Sequence, residues 1–399
     1  MKKYLLLSSY SLALAGFSYA NGFRLPNQDP DGIARGNAFV ATADNPSAIY
    51  YNPAGITQLE GKQLSLGFYN ITTDVDYSGA FGKAETNHAV QVVPQLHFVY
   101  SPKDSPWSYG LGVYAPYGLG IDYGEDNPFN TIAQEGSLAY VSVAPTVAYQ
   151  LSNSLSIGGS ATINYSNIEF HRALTSVTDR FSFEGNDLDV GLNFGLLWQP
   201  HTQWSFGLNY KLETQMNYDG RSRATAAFSP DPEWRDTSAS LVFPQNIDVG
   251  VSYRPNENWN IEFNLDWTDW DAVNVTTLSG TALGDVDFPF NYESSFTYEF
   301  GVTRYLPNGY YASAGYIYSE NSVPDTTFSP LNPDANLHLL SVGVGRKSDT
   351  ISWALGYHFA YNSGRKVTGN TGASLIGQTA DGDYHVLNQA INLSINYKF

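Results

Sequence analysis

The sequence predicts an all-β protein: a 14-stranded antiparallel transmembrane β-barrel with an N-terminal plug in its lumen. Three observations carry this reading. From residue 62 onward the chain alternates apolar and polar residues with period two. The connections between the alternating segments are short and long by turns. Aromatic residues gather at two levels, one beside each set of connections.

Composition narrows the alternatives. The 399 residues include no cysteine, so a disulfide scaffold is excluded. Twenty Lys and Arg against 38 Asp and Glu give a net charge of −18, which disfavours nucleic acid as a partner. With 29 Tyr, 22 Phe and 8 Trp the chain has ample material for packing, which argues against disorder. Beyond residue 20 no apolar run approaches the ~18 residues of a spanning helix. A mean hydropathy of −0.27 is compatible with a barrel, because every second residue faces the lumen.

The first twenty residues read as a cleaved export signal. Lys2 and Lys3 precede an apolar stretch from Tyr4 to Phe17, and Ser18-Tyr19-Ala20 offers a small-x-small cleavage site. A mature chain beginning at Asn21 is expected in the outer membrane of a Gram-negative bacterium.

Residues 62–399 read as the barrel. The alternating segments are 62–76, 87–100, 107–115, 137–149, 155–169, 187–198, 204–218, 239–253, 259–270, 294–305, 310–319, 338–346, 351–361 and 389–399. In 259–267, Trp259, Ile261, Phe263, Leu265 and Trp267 share one face and Asn260, Glu262, Asn264 and Asp266 the other. The connections at 101–106, 150–154, 199–203, 254–258, 306–309 and 347–350 are short. Those at 77–86, 116–136, 170–186, 219–238, 271–293, 320–337 and 362–388 are long. Outer-membrane barrels have short periplasmic turns and long external loops, and ~9–11 tilted residues suffice to cross. The lower aromatic girdle is expected at Tyr100, Trp107, Tyr149, Trp198, Trp204, Tyr253, Trp259, Tyr305 and Tyr310. The upper one is expected at Tyr77, Tyr114, Tyr140, Trp267, Trp270, Tyr298, Tyr318 and Tyr361. The last strand, with Leu393, Ile395, Tyr397 and Phe399 on one face, ends on a terminal Phe like strands read by the barrel assembly machinery.

Residues 21–61 lack period-two order and hold only short helical stretches, within 33–41 and 46–51. Forty residues cannot bury a core alone. Phe39, Ile49, Tyr50, Tyr51 and Ile56 call for burial, which a place inside the barrel supplies.

On these residues the chain resembles the FadL-type family of outer-membrane transporters for long-chain fatty acids and other hydrophobic compounds. Asn21-Gly22-Phe23 is similar to that family's mature start, and Gly32-Ile33-Ala34-Arg35-Gly36 to its Gly-x-(Gly/Ala)-Arg segment. Asn52-Pro53-Ala54 matches its NPA motif. Gly112-Val113-Tyr114-Ala115-Pro116-Tyr117-Gly118 resembles its third-strand segment, Asp266-Trp267-Thr268-Asp269-Trp270 its DWTxW, and residues 324–338 its sixth-loop signature. The run 26–30 (PNQDP) is more polar than the family pattern.

The resemblance implies a passive, hatch-gated conduit that releases hydrophobic cargo sideways into the membrane. An inner ligand pocket is then expected at Asn21, Gly22, Phe23 and Leu25. Gly112, Tyr114, Ala115, Pro116, Tyr117 and Gly118 would kink the third strand and open the wall, with Asn52, Pro53 and Ala54 holding the break. Pro116 cannot donate to a ladder, so a break there is physically reasonable. Leu119, Ile121, Phe129, Ile132, Phe228 and Trp234 in the long loops are candidates for an outer catching surface. Long-chain fatty acids are the leading cargo and monoaromatic hydrocarbons the second. A general polar porin and an outer-membrane lipid hydrolase are the rivals from other classes.

Catalytic and metal motifs are weak. Gly110-Leu111-Gly112-Val113-Tyr114-Ala115 fits GxGxxA but lies within a strand, and 343–348 is no P-loop. There is no GxSxG, and the seven His form no HxH or HxxxH. No cofactor, no metal site and no enzyme activity are expected. Acidic residues Asp122, Glu125, Asp126, Asp231, Glu233, Asp236, Asp285 and Asp287 read as solvated loop charge, or as divalent-cation ligands bridging lipopolysaccharide. A closed barrel needs no partner, so a monomer is expected.

Overall fold

The computed structural model describes residues 22–399 apart from 177–178, 226–232, 373 and 375. The expected export signal, Asn21, Phe228 and Asp231 lie outside the described residues. The strands are β1 (Gly61–Gly79), β2 (Gly82–Glu85), β3 (Val90–Ser101), β4 (Trp107–Asp122), β5 (Glu135–Ser152), β6 (Leu155–Arg172), β7 (Arg180–His201), β8 (Trp204–Lys211), β9 (Thr214–Thr225) and β10 (Arg235–Phe243). They continue as β11 (Asn246–Asn256), β12 (Trp259–Thr268), β13 (Val275–Thr281), β14 (Gly284–Pro289), β15 (Ser295–Tyr305), β16 (Tyr310–Ser319), β17 (Leu337–Arg346), β18 (Ile351–Asn362), β19 (Arg365–Val367) and β20 (Gly382–Lys398).

These strands make a closed antiparallel barrel of 14 wall strands, in which β8 with β9, and β10 with β11, each count as one. Closure comes from β1 pairing with β20, from Gln63↔Lys398 to Ser78↔Asp383. The short β2 and β19 extend the wall beyond the long strands, and β13–β14 form a hairpin on the long-loop side.

The period-two pattern is inverted relative to a soluble sandwich. In β12, Asn260, Glu262, Asn264 and Asp266 are buried, while Phe263 on the opposite face is exposed. The apolar face meets lipid, and the polar face meets the N-terminal segment. The lower girdle lies where the sequence puts it: Trp107, Trp198, Trp204, Trp259 and Tyr310 are exposed beside the short turns.

Four expectations are corrected. Tyr77, Tyr114, Tyr140 and Trp270 are buried, not in the upper girdle. Tyr114 and Tyr140 share the inward parity of Gly112 and Ser142, so nearness to a long loop misassigned them. The upper girdle keeps Trp267, Tyr298, Tyr318 and Tyr361, on the outward parity. The third wall strand does not end at residue 115 but continues through Pro116 to Asp122. The segments 204–218 and 239–253 are each interrupted, the second at Pro244, which has no N–H to donate. The N-terminal helices are shorter than the helical stretches read from the sequence: α1 is Pro30–Ala34, α2 is Ala48–Tyr51, and a 3-10 turn covers Pro53–Gln58.

The N-terminal segment lies against the inner wall, and glycines make room for it. A side chain on inward-facing Gly158, Gly195, Gly207, Gly301, Gly315 or Gly343 would collide with residues between Ala34 and Ala54. At Gly158 an added Cβ would lie 2.5 Å from Ala54 N. The segment's main chain therefore touches the wall's main chain around much of the barrel, and only glycine permits that approach.

Candidate functional site

The wall has a break at the third wall strand. β3 and β4 pair only from Leu96↔Val113 to Tyr100↔Tyr109. Above that, Val90–Gln95 has no β4 partner, although it stays paired with β1. The β4–β5 ladder shifts register between Tyr114 and Tyr117. Here β4 takes a new partner from the N-terminal segment: Leu25 N donates to Pro116 O (2.7 Å) and Gly118 N donates to Phe23 O (3.0 Å). Gln28 Nε2 donates to Ala115 O (2.7 Å), so the carbonyls freed by the kink are satisfied from inside. Asn87 closes the top of the gap, its N donating to Asp122 O (2.7 Å). What remains is a window in the wall between β3 and β4, backed by Leu25, Val93 and Ala115 of one apolar cluster.

Above the window on the long-loop side is an apolar cavity of about 440 Å³. Phe23 contributes to its lining. Leu119 and Ile132, Leu138, Phe170 and Phe183, and Leu278 and Phe288 of the β13–β14 hairpin form walls. Arg172 also lines it, buried, with its guanidinium 5.5 Å from the centre of the Phe288 ring and 5.8 Å from that of Phe181. Phe23 is wedged between Trp270 and Phe243, ring centroids 5.0 Å and 5.4 Å away. Phe23 and Leu25, two residues apart, thus belong to different apolar clusters, one lining the cavity and one backing the window.

Buried charges hold the segment between them. Arg24 makes a bidentate pair with Asp266, both contacts at 2.9 Å, and a short bond to Thr268. Glu262 accepts from Ala41 N (2.8 Å) and from the Thr42 hydroxyl, and lies 3.6 Å from Arg35. Charge-assisted bonds of this kind are strong where water is excluded. At the short-turn end, Asp44 accepts from Lys347 Nζ (3.0 Å) and lies 3.8 Å from Arg254. Burial pushes the Asp44 carboxyl up, but the two cations outweigh it and hold it below the usual carboxylate value. Asp29 caps α1 by accepting from Asp31 N (2.9 Å). Its own burial and the neighbouring Asp31 charge push it well above the usual value.

The residues singled out from the sequence separate into groups. Gly22 has φ +60° against the Trp270 ring, and its N–H points to Asp334 Oδ2 at 3.4 Å. Ile121 and Phe129 are buried in the cluster around the cavity rather than in its lining. Trp234 is elsewhere, under the guanidiniums of Arg221 (4.6 Å) and Arg223 (5.0 Å), because β9 turns those residues outward. The NPA triplet does not lie against the wall break. Asn52 Nδ2 donates to Val40 O (2.9 Å) and Leu196 O (3.0 Å), and Pro53 and Ala54 sit over Gly158 and Gly195 of β6 and β7. The break is backed instead by Phe23–Gln28, with Ile49 over Gly110 and Gly112. Sequence reasoning missed Arg24, Trp270 and Arg172 as site residues. The signal for two was present: DWTxW supplies both the partner of Arg24 and the ring against Phe23. Among the described residues the acidic loop side chains form no group of three with metal-ligand geometry.

Comparison with known proteins agrees with this geometry. A family model described as outer membrane protein transport protein (OMPP1/FadL/TodX) matches residues 11–399. The long-chain fatty acid transport protein of Escherichia coli K12 is 22% identical over 391 residues, covering 84% of this chain and 87% of that protein. Outer membrane protein P1 of Haemophilus influenzae is 21% identical over 465 residues, spanning 100% of both. A FadL homologue from Pseudomonas aeruginosa superposes with a TM-score of 0.85 at 16% identity, over 95% of this chain and 100% of that one. The Pseudomonas putida toluene transporter TodX gives 0.76 at 17% identity, over 94% and 99%. These likenesses carry the barrel fold, and the family match spans nearly all of the chain. This outer-membrane protein, a transport channel for hydrophobic compounds and not an enzyme, belongs to the OMPP1/FadL/TodX family.

Proposed function

We propose that the protein takes up long-chain fatty acids passively, holding residues 22–60 in the barrel as a hatch and releasing cargo sideways through the β3–β4 window. The observation that carries this is the apolar cavity meeting, at Phe23, the strand that changes partner at the wall break. A hydrophobic molecule gains nothing from a water-filled pore. Each CH₂ kept in water costs ~0.8 kcal/mol, so a sixteen-carbon tail favours an apolar cavity by something on the order of 10 kcal/mol before entropy losses. The glycine-lined seat supports lateral release, because main-chain contact around the wall leaves the hatch little freedom to swing aside.

Arg172 favours an acid over a neutral hydrocarbon. A carboxylate brought to the cavity wall would meet a desolvated guanidinium, and such charge-assisted bonds contribute ~1.5–3 kcal/mol. The second reading, monoaromatic hydrocarbons, is favoured by the rings that line the same cavity: Phe23, Phe170, Phe183, Phe288, Phe290 and Phe328. Oleate and toluene binding to the purified protein and to R172Q separates the two. The acid reading requires oleate binding to fall about ten-fold or more with toluene unaffected. Equal retention of oleate by R172Q would favour the hydrocarbon reading.

A further inference from the structure

The wall has a second break that neither the family resemblance nor the conduit accounts for. β7 pairs with β9 from Arg180↔Thr225 to Asn186↔Asp219, and with β8 from Asn193↔Lys211 to His201↔Trp204. Leu212 N still donates to Leu192 O (2.9 Å), but among the described residues Asp187–Gly191 of β7 has no ladder partner on residues 213–218. Side chains bridge the gap instead. Asp189 Oδ2 accepts from Gln215 N (3.0 Å), and Asp187 Oδ2 accepts from Asn217 N (2.6 Å). A carboxylate between two strands spreads them further than a ladder does. Between Asp187 and Gly191 each strand keeps a continuous ladder on its other side alone, β7 with β6 and β9 with β10.

This seam lies at membrane depth and reaches the lumen. Leu188, Val190 and Leu192 beside it are exposed on the lipid face, level with Ile163 and Tyr165 of β6. The same Leu192, with Gly191, Leu212 and Thr214, lines a small compartment inside the barrel. That compartment extends to Arg24, Tyr114, Pro116 and Tyr117, the residues behind the first break. The compartment holds about 40 Å³, and Tyr140 Oη to Thr214 Oγ1 (3.1 Å) closes it from behind, so passage requires the seam to part.

We propose that the β7–β9 seam is a second lateral portal, exchanging uncharged hydrophobic molecules between the outer leaflet and the barrel interior. Asp187, Asp189 and the exposed Glu213 frame it with negative charge, which repels a carboxylate and leaves a neutral hydrocarbon indifferent. Fatty acids would keep to the β3–β4 window. This proposal rests on the conduit reading, and the two fail differently.

The test uses the full chain in cells lacking other hydrophobic-uptake channels. Because the protein has no cysteine, V190C/Q215C offers a short bis-maleimide a single pair across the seam, bridged after folding. The unbridged protein is its own folding control. A second variant, V92C/V113C, places outward-facing cysteines on either side of the window for a longer bis-maleimide. Bridging the seam should lower the toluene uptake rate several-fold and leave oleate uptake unchanged. Toluene uptake unaffected by the seam bridge overturns the portal. So does a window bridge that stops toluene and oleate alike, in which case lateral release itself stands. If neither bridge alters either rate, the portal and lateral release both fall.

Discussion

Phe23 and Trp270 meet edge to face, ring centroids 5.0 Å apart and planes at 83°, so the start of the N-terminal segment is wedged against the ninth wall strand's end. This contact, with Phe243 behind it, closes the apolar cavity from below. F23A should therefore join the cavity to the compartment beneath it. Loss of the ring removes apolar contact with cargo and an aromatic pair worth ~0.5–1.5 kcal/mol. We expect oleate affinity to fall about ten-fold, or about 1.4 kcal/mol, while the barrel still folds. Fluorescent fatty-acid displacement measures the first and heat-modified gel mobility the second. Unchanged affinity would remove Phe23 from the binding surface.

Adjacent glycines on β6 give an internally controlled test of the seat of the N-terminal segment. Gly158 faces in, with Pro53 and Ala54 against it, whereas an added Cβ on Gly159 meets nothing closer than Asn193 O at 3.4 Å. G158A should overpack the seat and cost ~1–3 kcal/mol, seen as a lower heat-modification temperature. G159A should be close to neutral. Equal behaviour of the two would mean that the seat yields.

The contrast between wall and lumen explains what was legible in the sequence. Lipid is uniform, so Trp259, Phe263 and their kind need no particular partner, and period two alone places them. Lumen residues answer to partners far away in the chain. Arg24 needs Asp266, 242 residues on, and Gly22 needs Asp334, 312 on; no local pattern links either pair. The upper girdle failed where loop proximity was allowed to outrank parity, as at Tyr140. The wall breaks were half visible: Pro116 and Pro244 mark two irregularities, but nothing in DLDVGL at 187–192 signals that two carboxylates there replace a ladder.

Asp44 ties the N-terminal segment to two short turns at once, through Lys347 and Arg254. All three side chains are partly exposed, so each pair contributes only ~0.2–1 kcal/mol. Its folded-state value is depressed, so the contribution is fully present above the unfolded carboxylate value of about 3.9 and is lost as pH falls through the lower folded value. D44N should lower heat stability modestly at neutral pH and not at all in strong acid. Raised salt should shrink the difference.

Asp29 works in the opposite direction. Its folded-state value is raised by burial and by Asp31, so the native protein holds that proton more tightly than the unfolded chain. Stability then declines as pH climbs from the unfolded value of about 3.9 towards the raised folded value. Asn is as good an N-cap as Asp, and an amide oxygen still accepts from Asp31 N and Asn45 Nδ2. D29N therefore keeps the cap of α1 and removes the buried charge. The variant should match the parent in acid and become more heat-stable than it as pH rises. Because α1 packs on β16, β17 and β18 deep in the barrel, amide exchange in residues 30–36 should slow in D29N at alkaline pH. A variant less stable than the parent at every pH would show that Asp29 is held as a paired anion.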